Sequence, residues 1–106
     1  MIHHINLLKL KSSVTPEMVE NLMVETRIRL LKIPEVMNLR CGKKIDAKNN
    51  SYELFFSIDF ENLNKLHIAQ DSAIWIKYKH QILDPHVDLL TAYHYEMEPC
   101  KDIRYS

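Results

Sequence analysis

Glycine is almost missing from this chain of 106 residues, with Gly42 the single example. That scarcity excludes a glycine-rich phosphate loop, which needs several positions without a side chain, and obliges the turns to use Asn, Asp, Ser and Pro. Neither sign of charge is in excess, because 14 Lys and Arg balance 14 Asp and Glu. Without a basic field to attract a polyanion, nucleic acid and an anionic membrane are not expected partners. Cysteine is limited to Cys41 and Cys100, too far apart for a metal knuckle or a redox pair, so two free thiols in a reducing cytosol are expected. No apolar run nears the roughly 20 residues needed to span a bilayer. The N-terminus lacks the basic region, long apolar run and small-residue cleavage site of a signal peptide. A soluble, cytoplasmic protein is the expectation.

What the chain does contain is a clear strand at 51–60. Tyr52, Leu54, Phe56, Ile58 and Phe60 recur at every second residue, which is strand periodicity with one wholly apolar face. Its other face carries Glu53, Phe55, Ser57 and Asp59, a mixture that suits a central strand whose second side is also covered. Residues 2–10 read as a further strand, with Ile5 and Leu7 on one face and His4, Asn6, Leu8 and Leu10 on the other.

Thr15-Pro16 is a helix start, a capping hydroxyl followed by a proline suited to the first helical position. Val19, Leu22, Met23, Thr26, Leu30 and Ile33 then share one helical side, with Glu25 and Arg29 paired on the surface, and Pro34 ends the helix. Residues 36–45 form a second strand in which Met37, Leu39 and Cys41 alternate with Val36, Asn38 and Arg40. Gly42 inside it marks a bulge or a close backbone approach, and the polar run 46–51 makes a hairpin turn into the 51–60 strand. Glu61-Asn62 opens a helix with Leu63, Leu66 and Ala69 inward, and Asp71-Ser72 restarts it toward Leu83 with Ile74, Trp75, Tyr78 and Ile82 as its stripe. After Asp84-Pro85, residues 89–97 alternate Leu89, Thr91, Tyr93, Tyr95 and Met97 against Leu90, Ala92, His94 and Glu96 as the last strand.

The order βαββαβ predicts an α+β domain over residues 1–98, followed by a polar tail, 99–106. This is the ferredoxin-like arrangement, a four-stranded antiparallel sheet with both helices on one face. Every strand has apolar residues on both faces, so the face without helices needs a cover. A patch made by four strands exceeds the few hundred Å² a soluble monomer usually exposes, and a second copy on a two-fold axis covers both patches at once. A homodimer is expected.

These residues resemble the stress-responsive A/B barrel domain family, often called Dabb. The likeness rests on His4 with Leu8-Lys9-Leu10-Lys11, Val14-Thr15, Ile33-Pro34-Glu35-Val36 followed by Leu39 and Gly42, the 52–61 strand with its Phe60-Glu61 ending, and Tyr95-Glu96. It implies a dimeric α+β barrel, in which two ferredoxin-like subunits join their open sheet faces. Most members of the family have no assigned activity. A cyclase reaction within it uses a histidine at the restart of the second helix and a tyrosine one and a half turns earlier; those positions are Ser72 and Leu66 here. The family's frequent His-Pro-x-His segment is replaced by Ala69-Gln70-Asp71-Ser72. The general base is missing, so the cyclase reaction is not carried over and no catalytic residue is named.

His4 does match the family's first-strand histidine, and it directs attention to the cleft between sheet and helices. Asn6 shares its face, where a buried amide must be satisfied or costs roughly 1–3 kcal/mol. Trp75, the only tryptophan, is a core residue or a cleft wall. His4, Asn6 and Trp75 are therefore the expected ligand-binding residues for a small, largely apolar molecule. His3 and His4 point to opposite faces and cannot chelate one metal together. No other histidine pair has ligand spacing, so neither a metal nor a cofactor is expected.

Two alternatives stand beside this reading. Haem-degrading monooxygenases of the related dimeric barrel group resemble the chain in Asn6 and, on the last turns of the second helix, His80. Their tryptophan falls near Leu66, away from Trp75. The third reading is a structural dimer without a ligand.

Overall fold

The structure, a computed structural model, describes residues 1–45 and 51–98. The hairpin turn at 46–50, the tail at 99–106 and Cys100 within it lie outside the described residues. The elements run β1 (Ile2–Leu10), α1 (Pro16–Leu30), β2 (Met37–Lys43), β3 (Leu54–Phe60), α2 (Leu63–Asp71), α3 (Ala73–Tyr78), a π-helical turn (Lys79–Leu83) and β4 (Val87–Glu96). The four strands form one antiparallel sheet in the order β2-β3-β1-β4. That is the ferredoxin-like fold expected from the βαββαβ order.

Local chemistry sets the helix ends. Thr15 Oγ1 accepts from the Met18 amide at 3.2 Å, and Pro16 fills the first position of α1. Asn62 Oδ1 accepts from the Lys65 amide at 2.9 Å to start α2. Ser72 then serves both helices: its hydroxyl donates to the Ala69 carbonyl at 2.7 Å and accepts from the Trp75 amide at 3.2 Å. One serine thus closes α2 and opens α3, which places Trp75 in the first turn of α3.

The strand periods decide where the core lies. Leu8 and Leu10 of β1 and Leu54, Phe56, Ile58 and Phe60 of β3 are buried on the helix-facing side, against Leu22, Leu30, Leu66, Ala69, Tyr78 and Leu83. Each such side chain contributes about 1.5–3 kcal/mol by leaving water. The buried Thr26 hydroxyl donates to the Leu22 carbonyl at 2.7 Å and lies 2.7 Å from Tyr78 Oη, a satisfied polar contact between α1 and α3. Burial pushes the Tyr78 phenol up, with the Thr26 bond only partly opposing it.

Two local expectations are corrected and a third is narrowed. Met37 lies opposite Asp59 while Arg40 lies opposite Ser57, so β2 holds one extra residue between them. Asn38 takes up that residue at φ 49°, which turns Met37 to the open face, away from Leu39 and Cys41. The bulge of β2 therefore sits at Asn38, and of the two readings open for Gly42 the close approach is the one found. A Cβ at Gly42 would strike the Phe55 ring, with Cδ1 only 3.0 Å away. Finally, Leu63 is 53% exposed, because it begins α2 where the chain has just left the sheet, and the inward side is supplied by Leu66 and Ala69.

On the sheet face away from the helices, Ile5 lies opposite Tyr93, Leu7 opposite Phe55, and Lys9 opposite Leu89. Phe55, Leu89, Tyr93 and Tyr95 are exposed there. Among the described residues, no helix is long and apolar enough to cross a membrane.

Candidate functional site

His4 and Asn6 stand two apart on β1, so both project to the helix side, where they are 1% and 3% exposed. The strand neighbours of His4 are Ile58 on β3 and His94 on β4; those of Asn6 are Phe56 and Ala92. Above them, the half-buried Trp75 ring comes to 5.9 Å from the His4 ring centre and 6.5 Å from that of Phe56. Phe60 closes another side of His4 at 6.2 Å. The three residues expected to line the cleft are thus gathered around one region of β1.

The distinctive feature is polar. Neither His4 Nδ1, nor His4 Nε2, nor Asn6 Nδ2 has a hydrogen-bond partner among the described residues. Folded proteins pair most buried polar groups, and one left unpaired costs about 1–3 kcal/mol. Burial lowers the pKa of His4 from 6.5 to about 4, with the neighbouring His94 and His3 adding to it. Asn6 alone opposes this by its proximity, although no bond of good geometry joins the two side chains. His4 is therefore a neutral imidazole at physiological pH, offering one N–H donor and one acceptor nitrogen. Together with the Asn6 amide it can hold a hydroxyl or a carbonyl.

The residue that sequence reasoning missed is His94. It is exposed, yet its ring centre lies 4.4 Å from that of His4, with 32° between the planes. Leu90 and Ala92 share its face and are also exposed. Leu90 borders a cavity of about 230 Å³ with Lys79, Leu83 and Asp84 of the π-helical turn and its exit. The alternation of β4 puts His94 on the same face as Ala92; only the register with β1 brings it against His4.

Other expected positions have separate work. Ser72 is the shared helix cap and Leu66 belongs to the core. His80 is exposed and lies 3.2 Å from Asp84; it lines a cavity of about 500 Å³ with Gln70, Trp75, Ile76 and Lys79. Asn6 does not line that cavity, so the asparagine and histidine of the haem-type pattern are not brought together there. His3 faces the opposite way, with Nδ1 2.6 Å from Asp59 Oδ1. Burial alone would raise the Asp59 carboxyl, but the bonds from His3 and Asn38 overcome that and hold it below the usual range. Among the described residues, no group of three His, Cys, Asp or Glu is placed to hold a metal.

A larger cavity, about 640 Å³, lies at the other end of β1 between Leu10, Val14, Val19, Lys43 and Glu53. Three of its charged groups are engaged, Lys43 with Glu20 and Glu53 with the Leu10 amide. The unsatisfied chemistry is at His4 and Asn6, and we place the candidate site there.

Comparison with known proteins bears on the fold that carries this site. A comparison with curated proteins finds no match. Among solved structures, a Dabb family protein with a ferredoxin-like fold from Mesorhizobium loti superposes at TM-score 0.80 with 18% identity, covering 92% of this chain and 96% of that one. A dimeric ferredoxin-like protein of unknown function from Thermobifida fusca gives TM-score 0.80 at 22% identity, over 91% and 90% of the two chains. Hydroxynitrile lyase from Passiflora edulis gives TM-score 0.81 at 10% identity, over 95% and 96%. These identities establish the shared fold. The family model of the Stress responsive A/B Barrel Domain matches residues 2–97, the whole span from β1 through β4, and the chain belongs to that family.

Proposed function

We propose that this protein binds a small, largely apolar molecule bearing a hydroxyl or carbonyl group, held between α2–α3 and the sheet by His4, Asn6 and Trp75. The observation that carries the reading is that His4 Nδ1 and Nε2 and Asn6 Nδ2 are buried without a hydrogen-bond partner among the described residues. A stability-driven sequence has no use for them, whereas a ligand with one polar group satisfies them and leaves its apolar body against Trp75 and Phe60. No reaction is part of the proposal, since the cyclase-type positions hold Ser72 and Leu66. Burial raises the pKa of the free Cys41 thiol, so it is chemically quiet, as suits a protein of the reducing cytoplasm. The test uses Trp75 as the reporter: titration with a panel of small hydroxylated and carbonyl-bearing aromatics should change its fluorescence, and His4→Ala or Asn6→Ala should weaken the response. Full affinity in both variants would put the site elsewhere.

The open sheet face supports a second statement about the same molecule, that it works as a homodimer joined through that face. Phe55 is 37% exposed, Tyr93 48% and Tyr95 54%, on a surface continuous with Ile5 and Leu7. Burying apolar surface at about 25 cal/mol per Å² is the term that opposes an association cost of about 4–15 kcal/mol. The Thermobifida fusca neighbour is described as dimeric. Sedimentation equilibrium at micromolar concentration should give twice the 12.6 kDa chain mass; a folded, non-associating 12.6 kDa species would refute it.

A further inference from the structure

Helix α1 is apolar on two sides. Leu22, Thr26 and Leu30 turn inward and are buried, as packing on the sheet requires. Val24, Ile28 and Leu31, spaced four and three residues apart, turn the other way and are 39%, 52% and 63% exposed. Single apolar residues on a surface are ordinary, but three in one line along a helix are the pattern by which one helix lies against another. The helical path holds to the end of the line, since the Leu31 amide donates to the Arg27 carbonyl at 3.1 Å and the Lys32 amide to that of Arg29 at 3.2 Å. Beside it, Glu25, Ile28 and Lys32 border a recess of about 300 Å³ whose far wall is Ile74 and Lys77 of α3.

The spacing is self-complementary. Val24 and Leu31 stand one heptad apart, Glu25 and Lys32 stand one heptad apart beside them, and both pairs are centred at Ile28. Among the described residues, Glu25 pairs with Arg29 at 3.3 Å and Lys32 has no ion pair. We infer that the outer side of α1 is a contact between copies of this chain, in which a second α1 lies antiparallel across a two-fold axis at Ile28. That axis sets Leu31 against the partner's Val24 and Lys32 against the partner's Glu25, each twice. A parallel pair would bring like charges together instead. The surface is separate from the open sheet face, so the contact holds whether or not the sheets also join. Three side chains from each copy belong with interfaces below about 1,200 Å², so the association is weak and appears only at high protein concentration.

Sedimentation equilibrium of the full chain at about 5 µM and about 500 µM tests it. The mass at the higher concentration should rise toward double its dilute value, and Ile28→Glu should keep the dilute value at both. Glu25→Lys and Lys32→Glu should each weaken the association about tenfold, and the double variant should regain it. Ile28 and Lys32 are exposed and Glu25 is half-buried, so the fold tolerates the changes, and recovery on exchanging the charges cannot come from damage to it. Because the rise is measured from the dilute species, whose mass Ile28→Glu leaves alone, the sheet-face dimer is judged separately. A mass that stays constant to 500 µM overturns the inference. So does a rise that survives Ile28→Glu, or a double variant that stays as weak as the single ones. The other occupant such a surface could take is an anionic bilayer, drawn by the exposed Arg27 and Lys32. Phosphatidylglycerol vesicles that carry down the wild type but not Ile28→Glu, with no rise in mass in their absence, would overturn the inference in favour of that surface.

Discussion

Acidification should destabilise this fold specifically through His4, and by a predictable amount. Its pKa falls from 6.5 to about 4 on folding, first because the ring is buried and then because His94 and His3 repel a second positive charge. One unit is about 1.4 kcal/mol, so a displacement of roughly 2.5 units amounts to about 3 kcal/mol. Because the folded value is the lower one, the unfolded chain takes up the proton first. The stabilisation is complete above pH 6.5, is lost progressively as pH falls from 6.5 through 4, and does not change further below that. Against a usual total of about 5–15 kcal/mol this is a large fraction. Urea denaturation of the wild type and His4→Phe at one protomer concentration isolates it, since Asp59 and every other acid-sensitive group is common to both. Between pH 7.5 and 4 the wild type should lose about 3 kcal/mol more than the variant. Parallel curves would mean that His4 is protonated as readily folded as unfolded, and the description of its pocket would be wrong.

Asn6→Val should raise stability by about 1–3 kcal/mol, because it removes an amide that has no partner for Nδ2 and fits a strand better. Thermal melts at matched protomer concentration should show a gain of several degrees, while any response of Trp75 to ligand weakens; a loss of stability would show that the amide is satisfied in the folded protein. Gly42→Val should push the Phe55 ring off its seat over β2. Because that ring belongs to the open sheet face, the dissociation constant of the proposed dimer should rise about tenfold with the far-ultraviolet spectrum unchanged. An unaltered constant by sedimentation would take Phe55 out of the interface.

The sequence made the faces of β1 and β3 legible because alternation over seven to nine residues leaves no second interpretation, and the two strands pair with each other in one unbroken register from Ile2 to Leu8. The helix boundaries were legible where a side chain acts on its own neighbours, as with Thr15, Asn62 and Ser72. What failed to show were features decided by a non-local partner. The bulge at Asn38 had no signal of its own, and of the two readings open for Gly42, a bulge or a close approach, the structure shows the second, set by Phe55 thirteen residues away. His94 entered the site through the β1–β4 register, which periodicity alone does not supply. His4 and Asn6 could be placed on one buried face from sequence, but that their nitrogens lack partners depends on every group packed around them.

The central claim is that His4 is a neutral, unpartnered imidazole awaiting a ligand's polar group. Long-range ¹H–¹⁵N correlation spectra of protein labelled at histidine read both ring nitrogens directly. At pH 7 the His4 pair should show the pattern of a neutral ring, and addition of a panel compound that alters Trp75 fluorescence should move those two resonances more than those of the other five histidines. A protonated His4, or a compound that perturbs Trp75 while the His4 nitrogens stay fixed, would contradict the account.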